Sequence, residues 1–231
     1  MPSKNKPKAE SFVCGFCKKA FSRERTLQVH LCTIKERDLH RDDKISRMAF
    51  RTFERFYEYT MRSSKTWDDF IRSRYYNDFY RIGKYLIDIN AVNTPQFIEF
   101  LIRSTLPMKD WTSNVVYETY IRELNKKETP DAAVERNILL MQQWATETNN
   151  HWTDFFRKIS PVQATTWIKT GRISPWVFYI TTSAAELFER MSPEQLDMVK
   201  GYLDPNFWEI KLKNHKEDVE YLRTILEEAG V

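Results

Sequence analysis

The chain has 231 residues, of which 42% are hydrophobic, 14% aromatic and 29% charged, with 5 Gly and a formal net charge of +4. This is the length of one ordinary globular domain plus a small appendage, and the apolar content, which supplies a core under a charged surface, excludes a wholly disordered chain. No apolar run approaches the roughly 18 residues of a membrane span, and the opening MPSKNKPKAE has no apolar centre for a secretion signal.

The charge is unevenly spread. Residues 1–90 carry 20 Lys/Arg against 12 Asp/Glu, a net +8, and residues 91–231 carry 16 against 20, a net −4. A basic first third attracts polyanions and an acidic remainder repels them, so any nucleic-acid face is expected in the first 90 residues. Three cysteines cannot all pair, and Cys14 and Cys17 suit a metal better than a disulfide framework. An intracellular, reducing compartment is the expected location, with no membrane association.

Taken along the chain, Lys4, Lys6 and Lys8 with Pro2 and Pro7 make residues 1–10 a basic disordered tail. Residues 11–43 read as a zinc finger and linker. The segment CGFCKKAFSRERTLQVHLC (14–32) holds every cysteine and one of the 4 histidines. Its frame is Phe12-x-Cys14-x2-Cys17-x3-Phe21-x5-Leu27-x2-His30. Two thiolates from a tight turn and an imidazole from a helix provide three tetrahedral zinc ligands, and Phe12, Phe21 and Leu27 form a miniature core. So small a unit folds only if the metal supplies the energy, which makes Zn2+ the expected cofactor.

That frame resembles the two-cysteine, two-histidine zinc fingers of transcription factors, which implies a small ββα fold. The family's second histidine comes three to five residues after the first, and Ile34 stands at the commonest position. Cys32 is the preferred fourth ligand and His40 the reserve, with an open or water-filled position as the remaining alternative. A ligand two residues after His30 lies off its face in a regular helix, so the helix must loosen or end near Leu31. Lys18 occupies a site where the family often has a turn glycine. The family's base-reading positions fall on Arg23, Thr26 and Val29; Arg23 suits a guanine edge, while Lys18, Lys19 and Arg25 suit phosphates. One finger spans about three base pairs, so binding of DNA or RNA with little sequence specificity is the expectation.

Residues 44–231 read as an irregular all-α domain of about nine or ten short helices, making the whole chain mainly α. Apolar residues recur at helical spacing from Ile45 to Tyr57 and again from Trp67 to Ile89, which predicts two amphipathic helices. Thr66 with Asp69 is a predicted N-cap pair. Six dipeptides predict helix starts: Thr94-Pro95, Thr129-Pro130, Ser160-Pro161, Ser174-Pro175, Ser192-Pro193 and Asp204-Pro205. In each, an oxygen can cap free N–H groups and proline fits the first turn. Ser192 with Gln195 and Asn214 with Glu217 have capping-box spacing, and Gly171 can end a helix in the left-handed conformation. The aromatic clusters at 53–57, 75–80 and 176–179 have core spacing rather than the exposure a base-stacking platform needs.

No catalytic residue is assigned. The chain lacks a phosphate-cradling glycine loop and HExxH. Asp68, Asp69, Asp78 and Glu99 as a two-metal nuclease site, or His151 with Asp154 as an acid–base pair, compete with ordinary caps and salt bridges. Beyond the finger, RFYEYT (55–60), DDFIRSRYYNDF (68–79), TGRISPW (170–176) and YLDPNFW (202–208) resemble sparsely characterised zinc-finger proteins of large contractile-tailed bacteriophages. The resemblance implies a viral product working inside the host near DNA metabolism, transcription or particle assembly. The leading expectation is a zinc-binding, nucleic-acid-associated accessory protein, with the finger and adjacent basic helices facing nucleic acid and the acidic helical domain facing a protein partner. An assembly or adaptor protein with a structural finger that binds protein is the alternative, and a nuclease is the third reading.

Overall fold

The computed structural model describes residues 11–231; the tail expected at residues 1–10 lies outside the described residues. The chain divides into two compact units, one reaching to Tyr85 and one running from Leu86 to Val231. Both are helical, and the sole sheet among the described residues is a two-stranded hairpin at the start of the first. The expected mainly-α class with a small N-terminal finger holds.

In the first unit, β1 (Phe12–Val13) pairs antiparallel with β2 (Ala20–Phe21). There follow α1 (Glu24–Gln28), α2 (Thr33–Leu39), α3 (Lys44–Met61), α4 (Trp67–Arg72) and α5 (Tyr76–Asp88), the last crossing the division. The apolar face of α3 buries Ala49 and Phe53, and Phe70 and Phe79 are buried as well. Phe53 meets Phe70 at 5.3 Å between ring centroids and Phe79 edge-on at 5.2 Å, so these aromatics are core. Gly83 permits the closest approach: a Cβ there would lie 2.6 Å from the backbone nitrogen of Ala49 and 2.7 Å from its Cα. We expect Gly83→Ala to lower stability by about 1–3 kcal/mol through overpacking, despite a helix-propensity gain of about 1 kcal/mol. A denaturant titration checks this, and an unchanged or higher midpoint contradicts the close crossing.

The apolar run from Trp67 to Ile89, expected as one helix, is two. Ser73 is extended (φ −63°, ψ 139°), and its Oγ accepts from the Tyr75 N–H at 3.1 Å, a local side-chain bond that competes with helix continuation. Arg37 Nη1 donates to the Ile71 carbonyl at 2.7 Å and so satisfies the end of α4. The Thr66–Asp69 capping box at the start of α4 is present.

The second unit contains α6 (Thr94–Arg103), α7 (Asn114–Lys127), α8 (Pro130–Thr148), α9 (Phe155–Lys158), α10 (Pro161–Lys169), α11 (Trp176–Ile180), α12 (Ala184–Glu189), α13 (Pro193–Val199), α14 (Pro205–Asn214) and α15 (Lys216–Glu228). From residue 44 onward there are thus 13 α-helices rather than nine or ten. Several, such as α9 and α11, are a single turn or little more, too short to display a 3.6-residue period. Thr129, Ser160, Ser192 and Asp204 are N-caps with proline following, and Ser192 and Gln195 form the reciprocal box. Gly171, at φ +74°, follows the end of α10 as expected.

Three expected starts differ. Asn93, left-handed at φ 46°, is the cap of α6, and Thr94 is already helical. Ser174 does not cap α11, because its hydroxyl turns inward and donates to Glu128 Oε2 at 2.7 Å. Asn214 ends α14, and His215 is the boundary residue before α15 without a side-chain cap.

Candidate metal centre

The hairpin register sets Phe12 opposite Phe21, and the turn between the strands carries Cys14 and Cys17. The Lys18 N–H donates to the Cys14 carbonyl at 3.0 Å, and the Cys14 N–H donates to the Lys19 carbonyl at 2.9 Å. Closing this turn forces Lys18 to φ +61°, the conformation that explains the glycine usual at this site, at a cost of about 1–2 kcal/mol for an L residue. Lys18 Nζ partly offsets this by donating to the Gly15 carbonyl at 2.6 Å.

Helix α1 ends at Gln28, with Val29 as its cap. His30 therefore projects from the connection after the helix, which corrects the expectation of an imidazole on the helix itself. The His30 backbone N–H still donates to the Leu27 carbonyl at 3.1 Å. Cys32 is the N-cap of α2, its Sγ accepting from the Lys35 N–H at 3.4 Å. Because the chain leaves helical geometry between Val29 and Cys32, two ligands only two residues apart can face one point.

The ligand atoms of Cys14, Cys17, His30 and Cys32 all lie within 4.8 Å of one another. Cys14 Sγ and Cys32 Sγ are 3.7 Å apart, and Cys17 Sγ is 3.2 Å from His30 Nε2. A tetrahedron with metal–sulfur bonds of about 2.3 Å has an edge of about 3.8 Å, so the four groups could hold a metal ion. Phe21 packs on the imidazole at 4.8 Å between centroids and orients it. His40 is outside the cluster; its Nδ1 pairs with Asp43 Oδ2 at 2.9 Å on the exposed surface.

The Cys14 thiol is lowered to about 7, chiefly by the N–H groups of Cys17 and Phe16 and against the effect of burial. At Cys17 the Lys19 N–H pulls down, but burial and the Cys14 and Cys32 thiols together win and the net shift is upward. Concentrating three ionisable thiols raises the last of them unless a cation is present. Arg72 supplies part of that charge. Its Nη2 donates to the Phe16 carbonyl inside the cysteine turn at 2.8 Å, and its Nε is held by Asp68 at 2.7 Å. The Asp68 contact and the fields of Cys17 and Cys32 raise its pKa. A divalent ion held by three thiolates and a neutral imidazole would leave one net negative charge for Arg72 to balance.

The same region is tied into the helices around it. Trp67 Nε1 donates to Asp38 at 2.8 Å, and the Arg37 guanidinium stacks 4.1 Å from the Tyr76 ring centroid. Sequence reasoning missed Arg72, Arg37, Asp38 and Trp67 as supports. None has a spacing signal, since each partner lies roughly 29 to 56 residues away.

Lys18, Lys19, Arg23, Arg25 and Thr26 are exposed, and none belongs to the ligand cluster. Lys19 Nζ sits 5.6 Å from the Phe21 ring centroid, and Arg23 precedes α1 as its cap. Divided at the unit boundary, residues 1–85 carry 20 Lys/Arg and 11 Asp/Glu, a net +9, against 16 and 21, a net −5, for residues 86–231. The acidic groups weighed for catalysis go to local partners: Asp68 to Arg72, Asp69 to Thr66, Asp78 to Arg81 and Asp154 to Lys158. His151 contacts Thr153.

No family model matches the chain, and neither a curated protein nor a solved structure matches it. Among the described residues no helix is long and apolar enough to cross a membrane.

Proposed function

We propose that Cys14, Cys17, His30 and Cys32 hold one structural zinc ion, and that the finger they organise, with the basic helices of the first unit, associates with DNA or RNA with little sequence specificity. The convergence of the four donors within 4.8 Å carries the zinc reading. A Cys3His set with no open position suits a structural site rather than a catalytic one. The nucleic-acid reading rests on the net +9 of residues 1–85, with Lys18, Lys19, Arg23 and Arg25 exposed outside the ligand set. The resemblance to phage zinc-finger proteins supports an intracellular viral role near DNA metabolism, transcription or particle assembly.

A second reading is an adaptor whose finger is structural and faces protein. It is favoured by the Arg72 clasp on the cysteine turn and by the exposure of Val29 (69%) and Leu31 (94%) beside the site.

Purified protein is expected to contain close to one zinc per chain by elemental analysis. Changing Lys18, Lys19, Arg23 and Arg25 to Gln leaves all four ligands in place, so zinc content holds. Affinity for duplex DNA then falls, and the salt slope falls by about 0.9 for each phosphate that is no longer neutralised. Arg23→Gln alone costs about 1–3 kcal/mol at selected sequences if it forks onto guanine, and weakens all sequences alike if it meets phosphate. A zinc-loaded quadruple variant that binds DNA and RNA as well as the parent refutes the nucleic-acid reading. Salt-insensitive co-purification with a protein then favours the adaptor.

A further inference from the structure

The segment TGRISPW (170–176) carries an arginine whose position the fold alone does not explain. Arg172 lines a cleft of about 340 Å³ in the second unit, together with Asn90, Asn114, Tyr117, Trp167 and Lys169. Its guanidinium stacks on Trp167, 4.0 Å from the ring centroid, and is half-buried. Burial lowers its pKa, with Glu147 the acid whose field opposes that shift. Among the described residues this guanidinium makes no hydrogen bond and no ion pair. Other partly shielded arginines are satisfied: Arg37 by the Ile71 carbonyl and Arg136 by Glu128 and two carbonyls. The guanidinium is only partly shielded, so its N–H donors stay open to the cleft, where a bound group can take them in place of water.

The backbone around it is held firmly. Arg136 Nη1 donates to the carbonyls of Gly171 and Arg172 at 2.6 and 2.8 Å. Tyr117 donates to the Thr170 carbonyl at 3.1 Å, and the Ser174 N–H donates to Asn137 Oδ1 at 3.2 Å. A planar donor fork on a fixed loop, steadied by an indole, is the arrangement that pre-organises recognition of an oxyanion.

We propose that this cleft binds a small molecule bearing an oxyanion, a carboxylate or a phosphate ester, through Arg172. The volume lies at the small-molecule end of binding sites, and the net −5 of residues 86–231 disfavours a polyanion. Of the other charged groups in the cleft, Lys169 is paired with Glu118 at 3.4 Å, and Asp88 has a partner of its own. Arg172 is therefore the cation left to meet the ligand.

The test uses the full chain with 15N-labelled arginine, inorganic phosphate and succinate as probes, and ionic strength held constant with chloride. The Arg172 Nε–Hε signal, identified by its loss in Arg172→Gln, is expected to shift saturably with at least one probe. Phosphate alone points to a phosphate ester and succinate alone to a carboxylate; either supports the site. Arg172→Gln, followed through other cleft signals such as the Trp167 indole, should bind at least tenfold more weakly while melting normally, since no hydrogen bond is removed. Should it not fold, Arg172→Lys keeps the charge and loses the fork, and is expected to weaken binding. No saturable shift with either probe, or affinity unchanged in the folded variant, overturns the proposal and leaves Arg172 a packing residue on Trp167.

Discussion

Protein stripped of metal by a chelator will lose the hairpin, α1 and the cysteine turn as a cooperative piece, while the second unit keeps its secondary structure. The finger has no apolar reserve: Phe12, Phe21 and Leu27 are only half-buried, and the sole buried apolar groups between residues 11 and 32 are Cys14 and Cys32. Structural zinc contributes about 10–16 kcal/mol of apparent binding free energy in finger peptides near pH 7, which exceeds anything three half-buried side chains supply. Amide signals from residues 11–32 should therefore collapse toward random-coil positions, and zinc should restore them. Cys32→Ser should weaken zinc retention far more than His40→Asn, because Cys32 is in the cluster and His40 pairs with Asp43. The reverse order would show that the fourth ligand is not Cys32. Acid should act in the same direction as chelation. Zinc takes only deprotonated ligands, so protons compete for it, and affinity must fall as pH falls. Without metal the Cys14 thiol is lowered to about 7 by the N–H groups around it and Cys17 is raised above its ordinary value, so proton release on zinc binding should be measurable at neutral pH. A finger that stays folded without metal would refute the structural role.

The centre was legible because its signal is covalent spacing: Cys14, Cys17 and His30 sit on a frame whose geometry varies little, and Cys32 was within reach of it. The capping boxes at Thr66–Asp69 and Ser192–Gln195 were legible for a similar reason, since their partners are three residues apart. What escaped was decided by distant partners. Nothing local announces that Arg37 will satisfy the carbonyl of Ile71 and so stabilise a break at Ser73. Ser174 has a good capping sequence, yet a buried carboxylate 46 residues away takes its hydroxyl. His30 shows the limit from the other side. Its place in the cluster was readable, but its release from α1 was not: the need to bring Cys32 to the same point put the expected helix end near Leu31, whereas α1 stops at Gln28.

That buried carboxylate should also be the most sensitive polar position in the second unit. Glu128 is buried and receives Arg136 through two donors, Nε to Oε1 at 3.0 Å and Nη2 to Oε2 at 3.1 Å, as well as the Ser174 hydroxyl. The backbone carbonyls of Asn125 and Glu128, at the end of α7, accept from the buried Lys211, and Trp176 Nε1 donates to the Glu128 carbonyl at 3.0 Å. Burial has pushed the Lys211 ammonium down to about 8, with the Glu128 charge acting against that shift. Glu128→Ala takes the carboxylate from Arg136 and from the Ser174 hydroxyl and removes the charge that favours the Lys211 ammonium, and breaking a buried pair from one side costs about 3–5 kcal/mol. We expect a loss of that size in denaturant unfolding, large against the roughly 5–15 kcal/mol typical of a whole domain. The double variant Glu128→Ala/Arg136→Leu removes both charges of the pair and should be less destabilised than the two single losses added together, which isolates the coupling between them. Additive losses would mean that Glu128 and Arg136 are not coupled, and that the loop they support, from Gly171 to Ser174, is held by its remaining hydrogen bonds alone.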